Sequence, residues 1–316
     1  MRIPASKSGG GRSVKMDRSN LKILPLFLTG LIFVLPLAGS VVAQPYNGEF
    51  RKFLDSVNNR VSKTSLPNRT GSTVLKFEDI CRIENDYISK TVFAAYGSAF
   101  VAAESVRTPG SCIYDDENAV RNYQNSTRYT STVIGGATIE LQEAAMNALM
   151  LAVRQADAEG LSITPLDGSV AARRSYADTV RIWNSRFLRA LAHWTSKGRI
   201  KPADAEMVKR MPVKEQVTQV LEWEKQGMYF STDMTKSILY ATAPPGTSQH
   251  ISMLAFDVVN YGNRRIREIL AENGWFQTIV TDVPHFTYLG RKESELPDLG
   301  LRKIKRNGYT FWVPPL

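Results

Sequence analysis

Two kinds of apolar spacing follow one another along this chain, and their order limits the folds open to it. Between Ala137 and Gly227 apolar residues recur at helical intervals, whereas from Thr278 to the end they alternate as in strands. The stretch ATIELQEAAMNALMLAVRQADAEG (137–160) sets Leu141, Ala144, Ala145, Leu149 and Val153 on one helical face and stops at Gly160. LSITPLDGS after it reads as a short strand and a turn, and AARRSYADTVRIWNSRFLRALAHWTSKG (171–198) reads as another helix closing at Gly198. Two more helices are expected before Gly227, with Pro202 and Pro212 at first-turn positions, and another over residues 260–273. At the end, Asn307-Gly308 between KIKR and YTFWV predicts a tight hairpin. Helices first and strands later predict an α+β fold, with a small antiparallel sheet packed against several helices.

Before this, the chain is less informative. Residues 1–43 carry six Lys/Arg and one Asp, which accounts for +5 of the net charge of +10. The run ILPLFLTGLIFVLPLAGSVVA behind Lys22 ends in the small-residue pattern Val41-Val42-Ala43, as an export signal does. An uncleaved membrane anchor over residues 23–43 is the alternative. Either one puts the working part outside the cytoplasm, in a periplasm, cell envelope or extracellular space, where Cys81 and Cys112 could form a disulfide. The remaining +5 is mild and has no basic run with interleaved aromatics, so nucleic acid is not an expected partner. Residues 44–135 form an N-terminal region to which no chemistry can be assigned: a short helix near FRKFLDSVNNRV, a strand or helix over 75–103, and irregular or β structure over 107–135. Residues 136–316 then form the domain that carries the chemistry.

That chemistry gathers between Gly246 and Gly290. The chain has three histidines, and His250 and His285 both fall here; His193, beside Trp194 on a helix, reads as a packing or surface residue. Asp257 follows His250 by seven residues, and Asp282 precedes His285 by three. Two imidazoles and a carboxylate can hold a catalytic Zn2+ with its fourth position open to water. A further carboxylate that does not bind the metal, Asp282, could then accept that water's proton.

The segment GTSQHISMLAFDV resembles the Ser-x-His-x6-Asp signature of the VanY-type zinc D-alanyl-D-alanine carboxypeptidases and their wider group, which includes VanX, lysostaphin-like enzymes and hedgehog domains. The resemblance covers about residues 163–290, interrupted by an apparent helical insertion at about 194–227. It implies that His250, Asp257 and His285 hold zinc and that Asp282, in Asp282-Val-Pro-His285, is the catalytic base where the family has Glu. It also gives Arg174 the role of gripping the free C-terminal carboxylate of a peptide, with Ser248 orienting substrate or ligand. Met253 stands where the family has Gly, Pro284 where it usually has Trp, and Thr179 where it often has Gln. The implied activity is trimming of peptidoglycan stem peptides by metal-activated water. The alternatives are an envelope protein that keeps the zinc pocket and binds peptidoglycan without turnover, and a structural protein whose helical half works through partners.

Overall fold

The computed structural model describes residues 48–64, 76–84 and 86–315, so the expected export signal or anchor lies outside the described residues. Among those residues no helix is long and apolar enough to cross a membrane. The chain begins with α1 (Gly48–Thr64), α2 (Phe77–Ile80) and α3 (Tyr87–Tyr96), a 3-10 turn at Gly97–Val101, and α4 (Glu117–Asn125). A hairpin of β1 (Tyr129–Ile134) and β2 (Ala137–Gln142) leads into α5 (Glu143–Ala158), and α6 (Tyr176–Ser196), α7 (Pro202–Lys209) and α8 (Val213–Lys225) follow. Next come β3 (Ala255–Asp257), α9 (Arg264–Glu272), β4 (Trp275–Phe276) and β5 (His285–Tyr288). The hairpin β6 (Arg302–Arg306) and β7 (Tyr309–Val313) closes the chain. This is an α+β fold with small antiparallel sheets.

Several expectations fail locally. ATIELQ is strand β2 rather than the start of a helix: Gly135 and Gly136 both take positive φ and turn the chain back to pair Ile139 with Thr132. Ile139 and Leu141 then point into the core on strand alternation, and α5 starts only at Glu143. The stretch 107–135 contains α4, which is capped by Asp116 accepting from the Ala119 amide at 2.8 Å. The helix expected over 260–273 begins at Arg264, because the Asn263 side chain accepts from the Arg265 amide and caps it there. LSITPLDGS forms no strand and contributes a single bridge, Pro165 to Val258. Of TIVTDVPHFTYLG, only the end is a strand.

Among the described residues, three large apolar clusters and a small one around Tyr114, Val120, Tyr123 and Ile251 hold the fold. Phe50, Phe53, Phe77, Phe93 and Phe100 gather with Cys81 and Cys112, which are disulfide-bonded. Each fully buried Phe contributes roughly 1.5–3 kcal/mol of burial free energy. A second cluster joins one face of α6, namely Trp183, Phe187, Ala190 and Leu191, to Val208 of α7 and Val217 and Val220 of α8. The third packs α5 and α9 against Leu254, Phe256, Val258 and Phe286. That last group fixes the functional site, because in β3 and β5 the residues between these apolar ones face the other way.

Candidate metal centre

The central sheet runs β3-β5-β4, with Asp257 directly opposite His285, Phe256 opposite Phe286 and Ala255 opposite Thr287. With Phe256 and Phe286 committed to the core, Asp257, His285 and Thr287 share the opposite face. His250 reaches that face from a 3-10 turn at Gln249–Ser252, which ends at Met253 in the left-handed conformation (φ 57°). The turn is held from behind by two buried glutamines of the N-terminal region and β2. The Gln124 amide donates to Arg174 O and Ile251 O at 2.9 and 3.1 Å, and the Gln142 amide donates to Ser252 O at 2.8 Å. Upstream, Gly246 has φ 77°, and a Cβ there would lie 2.0 Å from Tyr114 O, so only glycine fits.

His250, Asp257 and His285 are all buried, and their ligand-capable atoms lie within 4.8 Å of one another. His250 Nε2 is 3.1 Å from His285 Nδ1 and 3.3 Å from Asp257 Oδ2, and His285 Nδ1 is 3.0 Å from Asp257 Oδ1. The hydrogen bonds behind the rings determine which nitrogens carry protons. The Gln249 amide nitrogen donates to Tyr96 O at 2.7 Å, so Gln249 Oε1 is an acceptor and the His285 Nε2–H donates to it at 2.8 Å. Thr287 Oγ1 donates to the same oxygen at 2.5 Å and is itself 2.7 Å from Thr278 Oγ1. His250 Nδ1–H likewise donates to Ala172 O at 3.0 Å. His250 Nε2, His285 Nδ1 and the Asp257 carboxylate therefore present lone pairs to one another. Burial, reinforced by the nearby Arg174 charge, pushes the His250 pKa down to about 4, so its ring is neutral near pH 7. Burial works against the Asp257 charge, yet its carboxyl is held well below the usual range, with the Arg174 guanidinium 2.6 Å away.

Arg174 compensates the Asp257 charge from one side at 2.6 Å, and the lone pairs that converge on the other side suit a metal cation. Tetrahedral zinc with nitrogen ligands at 2.0–2.1 Å sets them about 3.3 Å apart, close to the spacing here. These residues fit a zinc ion, with the ligand set formed by His250 Nε2, His285 Nδ1 and Asp257. Gln249 Oε1 and Ala172 O supply the supporting hydrogen bonds such ligands need.

A cleft of about 680 Å³ opens over this cluster, and Asp282, Arg174 and Ser248 all line it. Asp282 is exposed to the cleft. Partial loss of hydration raises its carboxyl pKa and the Asp257 charge raises it further, against the pull of Arg174. Arg174 is not free: its Nη2 donates to Asp257 Oδ2 at 2.6 Å and its Nε to Val170 O at 2.9 Å. Its contact is with the candidate ligand carboxylate, whereas the resemblance implied a grip on substrate. Ser248 is buried at the cleft wall. Thr179 is structural, accepting from the Gly246 amide at 3.1 Å and donating to Tyr176 O at 2.6 Å. His193 stays outside the cluster, edge-on to Trp194.

No protein family matches the chain at the level of sequence, and no curated protein does. Among solved structures the chain is similar to a Glu-to-Ala mutant of the vancomycin resistance D,D-pentapeptidase VanY from a VanB-type resistance cassette, in complex with Zn(II). That similarity covers 52% of this chain and 79% of the other, at 16% identity and a TM-score of 0.29. A likeness that distant leaves the reading of the cleft to its own geometry.

Proposed function

We propose that this chain is an exported zinc metallopeptidase of the carboxypeptidase kind, acting on peptidoglycan stem peptides. The observation that carries the reading is the meeting of three lone-pair donors at 3.0–3.3 Å on the floor of a cleft that also holds a carboxyl of raised pKa. Zinc bound there would lower the pKa of a water to about 7 and polarise a peptide carbonyl. The protein supplies the rest. Gln249 and Ala172 O hold the rings in the required tautomers, and Arg174 keeps Asp257 oriented and ionised. Asp282 takes a proton from the attacking water on its carboxylate and returns it to the departing amine; a raised pKa suits that exchange.

Metal analysis of protein purified without chelators, followed by incubation with defined stem peptides and mass spectrometry of released D-alanine, tests the reading. Zinc-dependent release that vanishes in His250→Ala supports it. One zinc per chain with no release from any stem peptide replaces it with a peptidoglycan-binding role. Absence of zinc removes the metal reading.

A further inference from the structure

Among the described residues, the unpartnered side-chain atoms Arg186 Nε, Trp275 Nε1 and Arg291 Nε are sealed from solvent and out of a ligand's reach. Another unpartnered group differs from them. Tyr96, the last residue of α3, is 8% exposed; its hydroxyl has no hydrogen-bond partner among the described residues yet keeps contact with solvent. Tyr96 lines the cleft over the metal centre together with Gln249, Asp282 and His285. A hydroxyl left without an acceptor in so closed a wall costs free energy, and a ligand oxygen would offset that cost.

Both ends of the residue fix where the hydroxyl stands. At the backbone end, Tyr96 O accepts from the Gln249 amide at 2.7 Å, and Gln249 Oε1 accepts from His285 Nε2 at 2.8 Å. At the other end, burial first and then the Asp282 charge raise the pKa of the phenol, so it stays a neutral donor wherever Asp282 is ionised. Because Asp282 is exposed to the cleft, a phenol that feels its charge presents its oxygen on the cleft side. The ring between packs in the cluster of Ile88, Val92, Trp183 and Ile279, so the donor is in place before anything binds. Asp282 also limits what the donor can meet. A carboxylate there would lie beside a second anion, whereas a main-chain carbonyl oxygen carries no net charge. We propose that Tyr96 is a substrate-binding residue whose hydroxyl donates to a main-chain carbonyl oxygen of the bound peptide beside Asp282. The N-terminal region, to which the sequence assigns no chemistry, then supplies part of the site. This deepens the peptidase reading and takes from it only that the cleft's ligand is a peptide.

Tyr96→Phe removes the oxygen and keeps both the ring and the backbone carbonyl under Gln249. The probe is acetyl-Ala-D-Ala-D-Ala with its last peptide bond replaced by a ketomethylene group, which keeps the carbonyl oxygens and cannot be cleaved. It is titrated into the full zinc-loaded chain labelled at tyrosine Cζ and followed by NMR, while release of D-alanine from the parent peptide is measured separately. The Tyr96 resonance, identified by its loss in Tyr96→Phe, should move on binding. Tyr96→Phe should weaken binding about fivefold with zinc content and thermal midpoint unchanged. A resonance that stays still at saturation, or an affinity unchanged in Tyr96→Phe, overturns the proposal, and D-alanine release in that case leaves the peptidase reading standing. Loss of zinc in Tyr96→Phe also overturns it, because the hydroxyl would then serve the metal centre. So does C-terminal amidation that removes the Tyr96-dependent term, because that puts the terminal carboxylate at Tyr96. Binding that depends on Tyr96 without release from the parent peptide leaves this inference standing and removes the peptidase reading. Failure of wild-type protein to bind the probe overturns both.

Discussion

Asp257 and His285 are direct partners across β3 and β5, and their side-chain atoms approach to 3.0 Å on the face turned away from the core. Asp257 is shared between this contact and Arg174 at 2.6 Å, with both side chains largely buried. Removing one member of a buried ion pair costs on the order of 3–5 kcal/mol, because the other charge is left without compensation. Asp257→Ala should therefore lower unfolding free energy by about that much in metal-free protein, measured in urea. An Arg174→Met, Asp257→Leu double variant should recover part of the loss. Equal losses in the single and double variants would show that the pair's charge is not the cause.

Gln249 fixes the tautomer of His285 while its own amide is anchored on Tyr96 O. Replacing such a supporting partner typically weakens metal binding 10–100-fold. Gln249→Leu should show about that loss in a chelator competition assay and keep its helical circular dichroism. Unchanged zinc affinity would remove Gln249 from the site.

The Asp282 side chain makes no hydrogen bond to the three candidate ligands among the described residues, and its backbone O, which accepts from the His285 amide at 3.3 Å, is kept on substitution, so loss of the carboxylate should spare the metal. General acid–base groups contribute roughly 10²–10⁴-fold to rate. Asp282→Asn should lower kcat by about that factor with zinc content unchanged. A variant that loses zinc and activity together would mark Asp282 as a ligand.

Met253 is fully buried and takes φ 57° at the position where the resemblance expects glycine. The left-handed conformation costs a non-glycine residue about 1–2 kcal/mol. Emptying the volume of a buried Met costs about 2–5 kcal/mol. The cavity is the larger effect, so Met253→Gly should destabilise the protein despite easing the backbone. A rise in thermal midpoint would reverse that ranking.

Glu224 of α8 accepts from the amides of Phe230 and Ile238 at 3.1 and 2.6 Å, and burial raises its pKa despite those bonds. A carboxyl with a raised folded-state pKa contributes stability that is full below its unfolded value, about 4.3, and lost as pH rises through the folded value. Glu224→Gln keeps the acceptor and cannot ionise. The variant should gain on wild type as pH rises from 4 to 7 in urea titrations and be the more stable at pH 7. A constant difference across that range would rule out ionisation of Glu224 as the source.

The sequence carried the ligand candidates because histidine is scarce in it and because His250, Asp257 and His285 sit close to apolar residues with strand spacing. The β6–β7 turn was legible for a different reason: Asn307 and Gly308 are residue types that accept φ 51° and 79°. What could not be read depends on burial between distant segments. Gln124, Gln142 and Gln249 look like ordinary polar residues until the fold encloses them. The start of β2 is ambiguous in the sequence because Ala137-Thr-Ile-Glu-Leu-Gln suits either period, and only pairing with β1 decides it. Arg174 was found by position, but its partner depends on how the 170–174 loop lies against β3.

The support behind the two imidazoles comes from widely separated parts of the chain: Tyr96 O, Gln124, Ala172 O and Thr287 all bear on a cluster whose ligands lie between residues 250 and 285. The constellation is therefore not portable. Transplanting residues 246–290 into a foreign scaffold would carry the ligand side chains and Gln249 but leave behind Ala172 O, which holds the His250 tautomer, and Tyr96 O, which sets which end of the Gln249 amide faces His285. Such a graft should bind metal weakly and without preference, even with its sequence intact.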